Sequence, residues 1–226
     1  MLSIRHFTCN AFGENTFLLW DESGRGAIVD PGCQSPEERL ALHRCIAEEN
    51  LVPSCILLTH GHFDHIYGVA ECVARYGIPV YLDEAEKAVL PLMEPHCRSF
   101  GMPLPDTSFP TCPVREGDVV RFGNTSFTAI STPGHSPGGV CWYDEADRLL
   151  LSGDTLFAGT IGRTDLPLGD YDKLIVSIMD KLMGLPGEVD VLPGHGPRTD
   201  ISHERTHNPF LQPFNEPWET DDPSFL

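Results

Sequence analysis

The 226-residue chain is acidic, with 33 Asp and Glu against 15 Lys and Arg and a formal net charge of −18. A surface of that charge repels phosphate backbones and anionic lipid, which argues against nucleic-acid and membrane partners. Hydrophobic residues are 41% and charged residues 21%, ordinary for a globular chain, and no run reaches the ~20 apolar residues of a membrane span.

The length suits one full core, so a single domain over 1–226 is expected. The start, Met1-Leu2-Ser3-Ile4-Arg5-His6-Phe7, lacks a signal-peptide apolar region, and a cytoplasmic protein is expected. None of the 8 cysteines forms a Cys-x-x-Cys pair, so reduced and mostly buried thiols are expected.

In chain order, residues 2–7 and 15–20 read as strands joined through Gly13, and Ala27-Ile28-Val29 as a strand ending at Asp30-Pro31-Gly32. Pro36 to Asn50 reads as a helix, with Ser35 as N-cap and Glu38 completing a capping box. Cys55 to Thr59 reads as a buried strand, followed by a helix from about Asp64 to Tyr76 that Gly77 terminates. Pro79 to Leu82 reads as a strand, and Asp83 as the cap of a short helix through Leu90. Pro91 to Pro113 is rich in prolines and polar residues and reads as an irregular connection.

The second half repeats the plan. Val119 to Phe122 and Phe127 to Ile130 form a hairpin about Gly123-Asn124, and Val140 to Tyr143 with Leu149 to Leu151 form another. Asp172 to Met183 has helical apolar spacing, and Val189 to Leu192 reads as the last strand. A Pro-rich acidic tail follows from about residue 211, with loose order expected over 216–226. The pattern by itself says α/β or α+β.

The chemistry concentrates in Thr59-His60-Gly61-His62-Phe63-Asp64-His65, on the loop between a strand and a helix. A polar loop with surface histidines is the plainer account of one His. Three imidazoles and a carboxylate within six residues cannot all enter a core unless they are hydrogen-bonded or hold a metal. Those donors suit zinc, iron or manganese. Three later segments each place a possible ligand next to glycine: Gly134-His135, Gly153-Asp154 and Gly194-His195-Gly196.

Asp30-Pro31-Gly32, the Thr-His-Gly-His-Phe-Asp-His stretch, Thr132 to Gly138, Ser152 to Phe157 and Pro193 to Gly196 occur in one order. In them the chain resembles the metallo-β-lactamase superfamily, and within it the glyoxalase II-like hydrolases. The resemblance implies an α+β, four-layer α/β/β/α sandwich. It implies two divalent metal ions, with zinc expected first and iron or manganese also fitting. His60, His62 and His135 would hold one, Asp64, His65 and His195 the other, and Asp154 would bridge both. Asp30 and Thr59 are candidates to orient the imidazoles.

By the same resemblance, a water deprotonated between the metals would attack an acyl carbonyl, with Asp64 helping to orient it. The substrate would be a small-molecule thiol ester such as S-lactoylglutathione, and Arg163 would meet a glutathione carboxylate, unless it pairs with Asp165. The short form also resembles smaller bacterial hydrolases that carry Gly-Arg-Thr-Asp and a His-Asn-Pro-Phe tail. The further helical domain of glyoxalase II proper is not matched, and Asp165 stands where that family has an aromatic residue. Two alternatives share the fold: a persulfide dioxygenase with one iron on His62, His135 and Asp154, and a metal-binding module without turnover. The sequence does not indicate an oligomeric state.

Overall fold

The computed structural model describes residues 2–212, so the expectation about the tail over 216–226 lies outside them. The first half forms a six-stranded sheet in chain order: β1 (Ser3–Cys9), β2 (Glu14–Trp20), β3 (Arg25–Val29), β4 (Val52–Leu57), β5 (Val80–Asp83) and β6 (Thr111–Val114). β1 to β3 pair antiparallel, and β3 to β6 pair parallel. Its helices are α1 (Pro36–Glu48), α2 (Phe63–Ile66), α3 (Val69–Tyr76) and α4 (Met93–Phe100).

The second half forms another six-stranded sheet from β7 (Val119–Phe122), β8 (Thr125–Ser131), β9 (Val140–Asp144), β10 (Leu149–Gly153), β13 (Asp190–Pro193) and β14 (Thr199–Asp200). A two-stranded hairpin, β11 (Leu156–Phe157) with β12 (Thr160–Ile161), leaves this sheet beside the site. Helices α5 (Tyr171–Ser177) and α6 (Ile201–His207) belong to this half.

Side-chain alternation explains the layering. A strand sends successive residues to opposite faces, and strands covered on both faces read as continuous apolar runs. Leu18, Ile28, Ile56 and Leu58 pack on one face with Leu42, Ile46, Ile66 and Val69 of the helices. Their neighbours Phe17, Leu19, Ala27, Val29, Cys55 and Leu57 face the other sheet, where Phe127, Val140, Trp142 and Leu151 meet them. Cys141, Leu150 and Val191 point outward against Leu174, Ile178 and Ile201. Three apolar layers between four layers of structure make the expected α/β/β/α sandwich.

Local signals fix several boundaries. Ser35 and Glu38 form the reciprocal capping box, and Gly77, at φ 65°, closes α3. Two stretches differ from the sequence expectation. The helix expected over 64–76 is split at Tyr67-Gly68, where the Gly68 N–H turns away to donate to the Pro31 carbonyl at 2.7 Å. The connection over 91–113 contains α4 and β6. Pro95 lies in the first turn of α4, where no backbone donor is needed, and Pro113 lies in an edge strand, where proline is tolerated. The segment capped by Asp83 is a 3₁₀ turn over Glu84–Ala88, and the helix begun by α5 continues as a π turn over Ile178–Leu182.

Candidate metal centre

The edges of both sheets deliver the seven candidate ligands to one place. His60, His62, Asp64 and His65 follow β4, His135 precedes β9, Asp154 follows β10 and His195 follows β13. His62 Nδ1 lies 2.9 Å from His135 Nε2, and His65 Nε2 lies 3.3 Å from His195 Nε2. The donor atoms of His60, His62 and His135 lie within 4.8 Å of one another, as do those of Asp64, His65 and His195. Asp154 spans the two groups, with Oδ1 3.4 Å from His65 Nε2 and Oδ2 3.5 Å from His135 Nε2 and 3.7 Å from His195 Nε2.

Hydrogen bonds on the far side of four of the five rings fix which nitrogen faces inward. His135 Nδ1–H donates to the Arg163 carbonyl at 2.8 Å, and His195 Nδ1–H to the Phe12 carbonyl at 3.1 Å. His65 Nδ1–H donates to Asp30 Oδ2 at 3.0 Å. Thr59 gives its hydroxyl proton to Asp30 Oδ2 at 2.5 Å, so its oxygen accepts from His60 Nδ1–H at 3.0 Å. His60, His65, His135 and His195 therefore turn Nε2 inward, the arrangement that outer hydrogen bonds give to metal-binding histidines, while His62 faces the group with Nδ1. Asp30 and Thr59 thus occupy the orienting positions expected of them. Asp30 also forms a third close group with His60 and His65, but its carboxylate is already taken by Thr59 N, Thr59 Oγ1 and His65.

The electrostatics fit a site for a cation. Burial, with His65 and His62 nearby, pushes the His60 imidazole well below its ordinary value, and burial with His135 brings His62 down to about 3. Burial alone would raise the Asp154 carboxyl, but His65, His135 and His60 outweigh it and hold it well below the carboxylate range. Burial would likewise lower His65, but Asp154 and Asp64 raise it well above the ordinary imidazole value. His60 Nε2 and Asp154 Oδ1 are buried with no hydrogen-bond partner. A divalent cation satisfies both atoms and replaces the proton on His65, because metal ligands bind in their deprotonated forms.

Two glycines permit the approach. A Cβ at Gly194 would overlap Asp154 Oδ1 and His65 Cε1, and a Cβ at Gly153, at φ 49°, would overlap Thr59.

Three features of the site escaped the sequence reading. Glu86 is fully buried, and its carboxylate accepts from Gly61 N at 2.7 Å and Gly138 N at 2.6 Å. One side chain thereby ties the loop of His60 and His62 to the loop of His135. Glu14 is also fully buried, and burial raises its carboxyl well above the usual range. The Thr16 hydroxyl accepts from Gly32 N and has two acceptors within reach, Glu14 Oε2 at 2.8 Å and the Asp30 carbonyl at 2.9 Å. The third is a cavity of about 350 Å³ above the ligands, whose wall away from them includes Phe12, Phe63, Phe100 and Phe157. Arg163 lines it, and its guanidinium forms two bonds to Asp165, at 2.7 and 2.8 Å. Glu86 acts through long-range contacts and the cavity gathers distant segments, whereas the Arg163–Asp165 pair is one the sequence offered.

The model of the metallo-beta-lactamase superfamily matches residues 9–195. The chain belongs to that superfamily. Among curated relatives of this metallo-beta-lactamase-fold chain, hydroxyacylglutathione hydrolase GloC of Haemophilus influenzae is 35% identical over 216 residues, covering 93% of this chain and 98% of the relative. The probable metallo-hydrolase YqgX of Bacillus subtilis is 40% identical over 200 residues, covering 88% and 92%. Among solved structures, the BLEG-1 B3 metallo-beta-lactamase superposes with a TM-score of 0.85 at 37% identity, covering 93% of this chain and 100% of that one. TTHA1623 in a di-iron-bound form gives 0.82 at 39%, covering 92% and 100%, and ETHE1 from Myxococcus xanthus gives 0.76 at 27%, covering 92% and 83%. Among the described residues, no helix is long and apolar enough to cross a membrane.

Proposed function

We propose that this chain, a metallo-hydrolase of the superfamily, cleaves a thioester at a two-metal centre. The observation that carries the reading is the pair of converging ligand groups joined by Asp154. His60, His62 and His135 would hold one ion, Asp64, His65 and His195 the other, and Asp154 would reach both. Bound divalent cations lower the pKa of a water between them and polarise a carbonyl oxygen.

The chain's own groups prepare that chemistry. Asp30, Thr59 and the carbonyls of Arg163 and Phe12 hold the imidazoles of His65, His60, His135 and His195 with Nε2 inward. Glu86 fixes the spacing of the two histidine loops. Asp64, buried and deprotonated, stands at the cavity floor, where it can accept a proton from an attacking water and orient it. The cavity above it has room for an acyl group next to the ligands.

The name of the Haemophilus relative supports a thioester, since a hydroxyacylglutathione is one. A di-iron form of the TTHA1623 neighbour supports iron as an alternative to zinc. A one-iron dioxygenase would use only His62, His135 and Asp154. It gives no reason for the second set of Asp64, His65 and His195 to converge so closely.

The test is hydrolysis of S-lactoylglutathione by purified protein loaded in turn with zinc, iron and manganese. Turnover that disappears in His62→Ala supports the reading. Oxygen consumption with glutathione persulfide and iron, without thioester cleavage under any metal, refutes it.

A further inference from the structure

The cavity over the ligands has a marked chemical bias. Phe12 comes from the β1–β2 turn, Phe63 from the ligand loop and Phe100 from the end of α4. Their rings form one cluster, with Phe12 edge-on to Phe63 at 5.3 Å and to Phe100 at 5.5 Å, and Phe63 tilted to Phe100 at 6.2 Å. Phe63 is buried, yet Phe12 remains 37% and Phe100 48% exposed. Exposed aromatic surface that converges on a site is surface a ligand can cover. Phe157 adds a fourth ring from β11, 6.3 Å from that of His195.

Away from the candidate ligands, the cavity wall offers few cationic side chains. Among the described residues lining it, which include His96, Arg163 is the only Arg or Lys, and its Nε and Nη2 donate to Asp165. An anionic ligand that took both Nε and Nη2 of Arg163 would have to displace Asp165, on a chain of net charge −18. A glutathione moiety carries two carboxylates, which need cationic partners when they leave water.

We infer that this cavity is an apolar subsite. It takes an uncharged hydrocarbon or aromatic part of the thioester, packed on Phe12, Phe63 and Phe100, and it does not select a carboxylate-bearing tail. The inference rests on the hydrolase reading only for which bond is cut. The apolar part comes from either the acyl group or the thiol.

Binding of non-hydrolysable thioethers tests the subsite apart from catalysis. Dissociation constants are measured by calorimetry for S-methyl, S-propyl and S-pentyl N-acetylcysteamine, and for S-methyl and S-propyl glutathione. Kd should fall about fourfold per methylene in the uncharged series, the factor given by burying a methylene at about 0.8 kcal/mol. The glutathione members should bind no tighter than their uncharged counterparts. Phe100→Ser, at an exposed position, should flatten the chain-length dependence, with circular dichroism confirming the fold. A Kd independent of chain length, or glutathione members at least tenfold tighter than their uncharged counterparts, overturns the inference. Turnover of the matching thioesters then assigns the source: a rate that rises with the acyl chain at fixed thiol places the acyl group in the cavity, and one that rises with the thiol places the thiol there. Thioesters left intact while the binding series holds would refute the hydrolase reading and leave the subsite standing.

Discussion

Replacing Glu86 by alanine should loosen the centre and the fold together. Its carboxylate is the partner of two buried backbone donors, Gly61 N at 2.7 Å and Gly138 N at 2.6 Å. A buried donor left without an acceptor costs about 1–3 kcal/mol, so removing the carboxylate costs about 2–6 kcal/mol. That is a large share of the 5–15 kcal/mol typical of a folded domain. The substitution should lower the urea midpoint of the metal-loaded protein by an amount corresponding to at least about 2 kcal/mol. It should also weaken metal retention about 10–100-fold, because the loops of His60, His62 and His135 lose their common anchor. Glu86→Gln restores one acceptor but turns an amide N–H toward the other backbone donor, so it should fall between the two. Equilibrium unfolding and metal content after dialysis against a chelator give both readouts. Wild-type stability within about 0.5 kcal/mol and unchanged metal retention in Glu86→Ala would refute the reasoning.

Other predictions follow from the groups around the ligands. Asp30→Asn keeps the shape but weakens the acceptor that sets the His65 tautomer, so metal affinity should drop about 10–100-fold by competition with a chelator; an unchanged affinity would remove Asp30 from that role. Glu14 bears on the pH dependence of stability. Its folded pKa is raised above the ordinary 4.5, so the folded state binds the proton more tightly and stability is lost as pH rises from 4.5 through the folded value. Glu14→Gln should therefore gain relative to wild type between pH 5 and pH 8 in urea unfolding, and an equal difference at both pH values would contradict a neutral Glu14.

How much of this was legible in the sequence depended on whether a residue acts locally. The capping box of Ser35 and Glu38, the closing Gly77 and the hairpin at Gly123 all use contacts within a few residues, and the structure has them where the spacing predicts. The apolar strands were readable because both faces are covered, although the runs themselves do not say which face meets which layer. The His and Asp candidates were readable because four of them share one short loop and the rest sit in glycine-flanked turns. Glu86 was not, since its segment reads only as a short helix and its partners are 25 and 52 residues away. Prolines hid α4, whose buried Met93 and Cys97 are spaced as one helical face. The tail segment from Ile201 carried no role in the sequence. In the structure Glu204 accepts from Gly159 N at 3.0 Å and Asn208 donates to the Thr160 carbonyl at 3.1 Å, so α6 anchors the β11–β12 hairpin at the cavity.

The central claim is that two ions act together on a thioester. Stripped protein titrated with zinc, and separately with iron and manganese, while thioester hydrolysis is followed tests it most directly. Activity that grows through two equivalents and then levels is the result these ligand groups predict. Full activity at one equivalent, or no hydrolysis with any of the three metals, would contradict it.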